Sequence, residues 1–267
     1  MTKQALIDQI RAKKSYLCVG LDTDPGKLPE CLMGEEDPVF AFNKAIIDAT
    51  LPYCVSYKIN TAFYEAQGLR GWASMEKTVN YIPDSHFRIA DAKRGDIGNT
   101  STQYAIAFLK NLPFDAITIA PYMGEDSVKP FLQFDGKWAI VLGLTSNPGA
   151  ADFELKELNG GERVYEHVIR TVAGWGSTEN LMFVVGATRS DEFINLRKIS
   201  PEHFFLVPGV GAQGGSLAEI SQKAMNKDVG LLVNVSRDII FASSGHDFAT
   251  VAGEKAKAYA AEMSIYL

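Results

Sequence analysis

Short apolar runs alternate along this chain with longer stretches in which apolar residues recur every three or four positions. Eight runs read as strands, at 16–22, 54–60, 87–93, 114–120, 138–145, 181–187, 204–211 and 230–237. Several are almost continuously apolar, the pattern of parallel strands covered by helices. Helical signals fill the intervals. Asp37 followed by Pro38 is an N-cap with proline at the first helical position, and Val39, Phe42 and Ile46 then share a face. Val164, Val168 and Val172 mark a second stripe, and Leu217, Ile220 and Ala224 a third. Thr2 can cap an additional N-terminal helix carrying Leu6 and Ile10.

Eight strand-then-helix units predict a closed barrel or a large doubly wound sheet. No GxGxxG follows the first strand, which weakens the dinucleotide-binding form of the open sheet. No low-complexity segment or composition break marks a linker. Both forms are α/β, and the closed one would be a single (β/α)8 TIM barrel domain over residues 1–267 with an extra N-terminal helix. The long connection from Ser146 to Asn180 reads as an elaborated loop rather than a second domain.

Charge narrows the function. A formal net charge of -6 argues against non-specific nucleic-acid binding, which needs a positive field. It leaves room for a small phosphorylated ligand, which a few local cations and N–H groups can hold. Cys18, Cys31 and Cys54 have no metal-ligand spacing and read as reduced thiols of a cytoplasmic protein. No signal-peptide pattern and no apolar run of membrane-spanning length is expected.

Polar residues gather where the strands end. Asp22 closes the first, Lys58 the second, Asp91 and Lys93 the third, Thr145 and Ser146 the fifth, Pro208 and the glycines after it the seventh, and Arg237 the eighth. In a barrel these ends meet on the face where barrel enzymes place their active sites. Each alone has a plain structural explanation, as a helix cap or a solvated charge, but coincidence at six strand ends is improbable. Asp91 and Lys93 are two apart on a strand and share a face. Lys58, one strand over, can complete an alternating set of lysines and carboxylates. Gly209, Gly211, Gly214 and Gly215 permit close backbone approach before a helix that begins near Ser216, and with Arg237 they form a candidate phosphate site. His86, His167, His203 and His246 lie outside these clusters and suggest packing or surface roles; no metal motif and no GxSxG is present.

The segment DAKRGDIGNT at 91–100 has the Asp-x-Lys-x-x-Asp form, and with it the chain resembles the orotidine 5'-phosphate decarboxylases, in their longer bacterial subclass. Supporting segments are GLDTDP (20–25), YKINTAFYE (57–65), LTSNPGA (144–150), VPGVGAQGG (207–215) and LLVNVSR (231–237). The resemblance implies the closed fold, as a homodimer of (β/α)8 barrels that converts orotidine 5'-phosphate to uridine 5'-phosphate and CO2 without metal or cofactor. It implies that Lys93 donates a proton to C6 of the pyrimidine, that Asp91 faces the departing carboxylate, and that Lys58 contacts the ribose and the charge array. Asp96 and Thr100 would reach into the partner subunit's site. Asp22 would bind a ribose hydroxyl and Ser146 the pyrimidine edge. Gln213, Arg237 and the backbone around Pro208, Gly211 and Gly214 would hold the phosphate. Three rivals remain: a Mg-dependent sugar-phosphate decarboxylase or aldolase of the same barrel family, a Schiff-base aldolase using Lys93 or Lys58, and a non-catalytic nucleotide-binding protein. An acidic metal ligand would suit the first better than Lys58, and carboxylates beside Lys93 disfavour the neutral amine that the second needs.

Overall fold

A computed structural model describes residues 1–211 and 214–267 of the chain. All eight apolar runs form strands: β1 (Leu17–Gly20), β2 (Ser56–Asn60), β3 (Phe87–Arg94), β4 (Ala116–Ile119), β5 (Trp138–Leu144), β6 (Leu181–Val185), β7 (Phe204–Pro208) and β8 (Leu231–Val235). They pair in sequence order, and β8 closes on β1, so the barrel is an eight-stranded (β/α)8 TIM barrel. Every pairing is parallel.

The helices are α1 (Lys3–Lys13), α2 (Pro38–Thr50), α3 (Thr61–Glu65), α4 (Gly68–Tyr81), α5 (Gly98–Ala105), α6 (Glu125–Val128), α7 (Val164–Ala173), α8 (Phe193–Ile199), α9 (Leu217–Ala224), α10 (Arg237–Ile240) and α11 (Phe248–Met263). The two caps read from sequence are in place, and Ser216 adds a third. Thr2 accepts from Ala5 N at 3.2 Å, Asp37 from Phe40 N at 3.0 Å, and Ser216 from Glu219 N at 3.3 Å. Two of the apolar stripes face inward, Val39, Phe42 and Ile46 on α2 and Leu217, Ile220 and Ala224 on α9. On α7 only Val172 of the expected stripe is buried; Tyr165 and Ile169 form the inward face with it, while Val164 and Val168 stay half-buried. Among the described residues no helix is long and apolar enough to cross a membrane.

Every strand but β3 is shorter than expected, and two of the differences reshape the site. β7 stops at Pro208, whose following glycine has φ +102° and turns the chain away. β8 stops at Val235, because the Ser236 hydroxyl bonds Gly20 O at 3.0 Å across the barrel top. Arg237 therefore opens α10 rather than ending the strand.

Side chains two apart on a strand share a face, which divides the barrel interior into layers. Ile140, Met182, Phe204 and Leu232 are fully buried and plug the lower barrel. Leu142, Val184, Leu206 and Asn234 stand one step above them and floor a cavity. The opposite end is tied by Arg197, whose guanidinium lies 3.8 Å from the Phe205 ring and donates to the carbonyls of Ala224, His203 and Gly230. Burial lowers its pKa to about 9.

Two imidazoles are held neutral in this lower half. His203 packs edge-on against Phe183, and neither ring nitrogen has a partner among the described residues. Burial and then nearby Lys3 and Arg197 lower its pKa to about 4. His86 lies 2.6 Å from the Lys13 ammonium, and burial and that cation lower it to about 4 as well. Unfolding frees both to take protons near pH 6.5. The folded state therefore keeps this contribution in full above that pH and loses it as pH falls towards 4. We expect the melting temperature to be level between pH 8 and 7 and to fall between pH 6.5 and 5. His203→Phe should make that fall shallower; an unchanged slope would contradict the assignment.

Candidate active site

The cavity at the C-terminal end of the strands measures about 200 Å³. Its polar wall comes from successive strands: Asp22 after β1, Lys58 and Asn60 on β2, Asp91 and Lys93 on β3. Across from them stand Pro208, Gly209 and Val210 after β7, with Asn234, Ser236 and Arg237 on and after β8.

Lys58 is the centre of the charged wall. Its ammonium is 3.1 Å from Asp22 Oδ1 and 2.9 Å from Asp91 Oδ2, and its side chain is only 4% exposed. Burial on its own would lower its pKa, but the two carboxylates override that and hold it above the usual lysine value. Asp91 is opposed in the same way. Burial favours its neutral form, yet Lys58 and Lys93 keep its pKa well below the usual carboxylate range. Its Oδ1 accepts from Lys93 Nζ at 2.6 Å and from the Thr118 hydroxyl at 2.9 Å. Asp22, Lys58, Asp91 and Lys93 thus form an alternating chain of four charges that sums to zero.

The backbone under Lys93 is unusual. The β3–β4 register shifts between Ala90 and Arg94, and Lys93 has φ +48°, a left-handed conformation that costs a non-glycine residue of order 1 kcal/mol. The Thr118 hydroxyl on β4 holds it there, accepting from Lys93 N at 2.9 Å while donating to Asp91. The bulge turns Lys93 up out of the strand, and its side chain stays half exposed at the mouth of the cavity.

Asp22 is held by its neighbours. Tyr64 OH on α3 donates to Leu21 O at 3.0 Å, and the Thr23 hydroxyl donates to Asn43 Oδ1 on α2 at 2.6 Å. Asn43 Nδ2 completes the set with Tyr64 OH and the Thr78 hydroxyl on α4. This network is buried and mutually bonded, so it fixes the turn on both sides of Asp22.

Not every residue expected at the site lies on the cavity. Ser146 is half-buried at the top of β5 and packs against Gly186, outside the lining. Asp96 accepts from Ile97 N at 2.7 Å and Thr100 is exposed on α5, and neither lines the cavity of its own chain. The N–H groups of the glycine loop turn inward: Gly214 donates to Gly211 O at 2.8 Å and Gly215 to Gly209 O at 3.2 Å. Gln213 lies outside the described residues. Arg237 does line the cavity, and among the described residues no carboxylate pairs with it. Among the described residues no group of three or more His, Cys, Asp or Glu side chains is placed to hold a metal ion. Sequence reasoning passed over Thr118 and Asn234, although each is a polar residue interrupting an apolar strand.

The chain matches the profile of the "Orotidine 5'-phosphate decarboxylase / HUMPS family" over residues 15–249. It is 58% identical to an orotidine 5'-phosphate decarboxylase of Phocaeicola vulgatus, covering 98% of both chains. The protein of that name from Christiangramia forsetii is 57% identical, with 99% of this chain and 98% of that one covered. Among solved structures, an OMP decarboxylase of Leishmania donovani superposes with a TM-score of 0.82 at 35% identity, over 97% of this chain and 99% of that one.

Removing the buried cation should be far more damaging than removing the exposed one. Lys58→Met leaves Asp22 without a cation and Asp91 with only the half-exposed Lys93, and should cost about 3–5 kcal/mol. Lys93→Met removes a half-exposed partner and should cost under about 1 kcal/mol. Urea unfolding of both variants at pH 7 measures the difference; equal losses would show that Lys58 is not the keystone of the array.

Proposed function

This chain belongs to the orotidine 5'-phosphate decarboxylase / HUMPS family, and from that membership we propose that it converts orotidine 5'-phosphate to uridine 5'-phosphate and CO2 in the cavity described above. The observation that carries this reading is the four-charge array with Lys93 raised from a bulge at its open end. Breaking the bond from C6 to the carboxylate leaves an electron pair in the plane of the ring, where π resonance cannot spread it. The Lys93 ammonium, placed beside that carbon, stabilises the developing charge and then gives it a proton. CO2 departs, and the lysine regains its proton from solvent.

Asp91 serves two ends in this scheme. It keeps Lys93 charged and aimed, and it faces the substrate carboxylate, whose charge is lost in the transition state. Lys58 and Asp22 take the ribose hydroxyls. Arg237 takes the phosphate, with the glycine loop opening to turn its N–H groups outward. Binding the phosphate, remote from C6, supports closure of the site over the ring. Lys58 speaks against the Mg-dependent reading, because a buried ammonium occupies the position where that chemistry wants a carboxylate.

We further infer a homodimer with shared sites. Exposed apolar side chains collect on the loops after three neighbouring strands: Ile97 after β3, Tyr122 and Met123 after β4, and Phe153 after β5. Asp96 and Thr100 lie in the same region, outside the cavity of their own chain. A twofold axis there would bring Asp96 of each chain to Lys93 of the other.

Two experiments test these readings. Lys93→Ala should abolish the loss of pyrimidine absorbance from orotidine 5'-phosphate, while uridine 5'-phosphate still binds within a few-fold of wild type. Near wild-type turnover would overturn the mechanism. For the dimer, inactive Lys93→Ala and Asp96→Ala chains are mixed and allowed to exchange subunits. A shared site gives a heterodimer with one intact site, so activity should return in part. No recovery despite demonstrated exchange would mean that each chain builds its own site.

A further inference from the structure

Asn234 is the one carboxamide in the cavity floor whose presence neither the charge array nor the fold requires. It occupies the inward-facing position of β8 between Pro208 on β7 and Cys18 on β1. The strand residues that floor the cavity with it, Leu142, Val184 and Leu206, are aliphatic. Only 6% of Asn234 is exposed, and its Oδ1 has no hydrogen-bond partner among the described residues. An acceptor left unbonded in the interior carries a desolvation cost that an apolar residue of the same shape there would not. The barrel even makes room for it. A Cβ at position 20 would lie 3.0 Å from Asn234 Oδ1 and 2.8 Å from Ser236 Cβ, so β1 carries a glycine opposite the amide.

We propose that Asn234 is a specificity-determining residue that recognises the sugar of the bound nucleotide, its carboxamide oxygen accepting a hydrogen bond from a ribose hydroxyl. The proposal rests on the decarboxylase reading of the cavity. Under that reading the pyrimidine lies against Lys93 on β3, the phosphate meets Arg237 just past β8, and the sugar spans the distance between them beside Asp22 on β1. Asn234 stands between Asp22 and Arg237, so the sugar is the part of the ligand above it. A phosphate dianion has no hydrogen to give, which leaves the hydroxyls as donors. With no bond holding its oxygen, the amide turns about its terminal torsion at little cost to meet one. The unsatisfied acceptor of the ligand-free site becomes satisfied on binding, which converts its desolvation cost into discrimination.

The sign of the stability change separates this from a structural role. Asn234→Leu removes the orphaned oxygen while keeping the branching and the number of side-chain heavy atoms. The ligand-free melting temperature should stay level or rise, while uridine 5'-phosphate binds at least tenfold more weakly by calorimetry. Wild type should also prefer the ribonucleotide over its 2'-deoxy and 3'-deoxy forms, and the variant should lose one of those two preferences. Asn234→Ala, which leaves space without polarity, guards against a leucine that fails to fit and should show the same loss of preference. Affinity within twofold of wild type would overturn the proposal. So would weaker binding with both preferences intact, which would mark a residue acting through packing. Turnover of orotidine 5'-phosphate by wild type is measured alongside: its absence would sink the decarboxylase reading, whereas its presence with an unaltered variant would sink only this inference.

Discussion

A lysine ammonium buried between two carboxylates is the constraint around which the upper half of this barrel is arranged. Lys58 cannot remain charged in the interior unless Asp22 and Asp91 stay within about a hydrogen bond of it, and Asp91 at its depth depends in turn on Lys58 and Lys93. The three groups come from consecutive strands, so the pairing of β1 with β2 and of β2 with β3 is what sets their spacing. A slip of one residue at either pairing would point a charge into the surrounding helices. Strand register and the electrostatics of the site are therefore the same fact, seen once along the backbone and once across the cavity.

Around that triad the protein spends conformational strain in one place and rigidity in another. Lys93 sits in a left-handed conformation that its side chain does not favour, held by the hydroxyl of Thr118. Asp22, by contrast, is reached by an ordinary turn but clamped from α2, α3 and α4 through Asn43, Tyr64 and Thr78. The two ends of the array are thus restrained differently. One is strained yet half exposed, and the other is relaxed and hemmed in by buried hydrogen bonds.

Much of this architecture is legible in the residues because it follows from simple periodicities. Eight apolar runs with polar ends and helical stripes between them point to the barrel, and the same ends mark Asp22, Lys58, Asp91, Lys93 and Arg237. The features that stayed hidden depend on contacts far apart in the chain. Nothing in a lysine announces a positive φ; that conformation arises from the β3–β4 bulge and a threonine 25 residues later. The end of β8 moved because Ser236 bonds to Gly20, a partner 216 positions away. Of the two glycines that follow β3, Gly98 adopts a positive φ, whereas Gly95 is small for a different reason: a Cβ there would press to 3.2 Å from Ala120 O. Asn234 could have been noticed as a polar interruption of LLVNV, yet an isolated asparagine in a strand says nothing until its neighbours are known to be aliphatic.

The pairing of Gly20 with Asn234 and Ser236 bears on how this sequence can change over time. Position 20 is not a turn, and its glycine answers no backbone demand; it is small because two side chains on the neighbouring strand already fill its space. Alanine at 20 would be excluded while β8 carries its present residues, and would become admissible only after both had been trimmed. The three positions can then drift only in a particular order. A lineage that first shortened the β8 side chains could later acquire a side chain on β1, and from then on the original asparagine and serine would be closed to it. A trade of this kind is hard to reverse, so relatives on either side of it should stay on their own side.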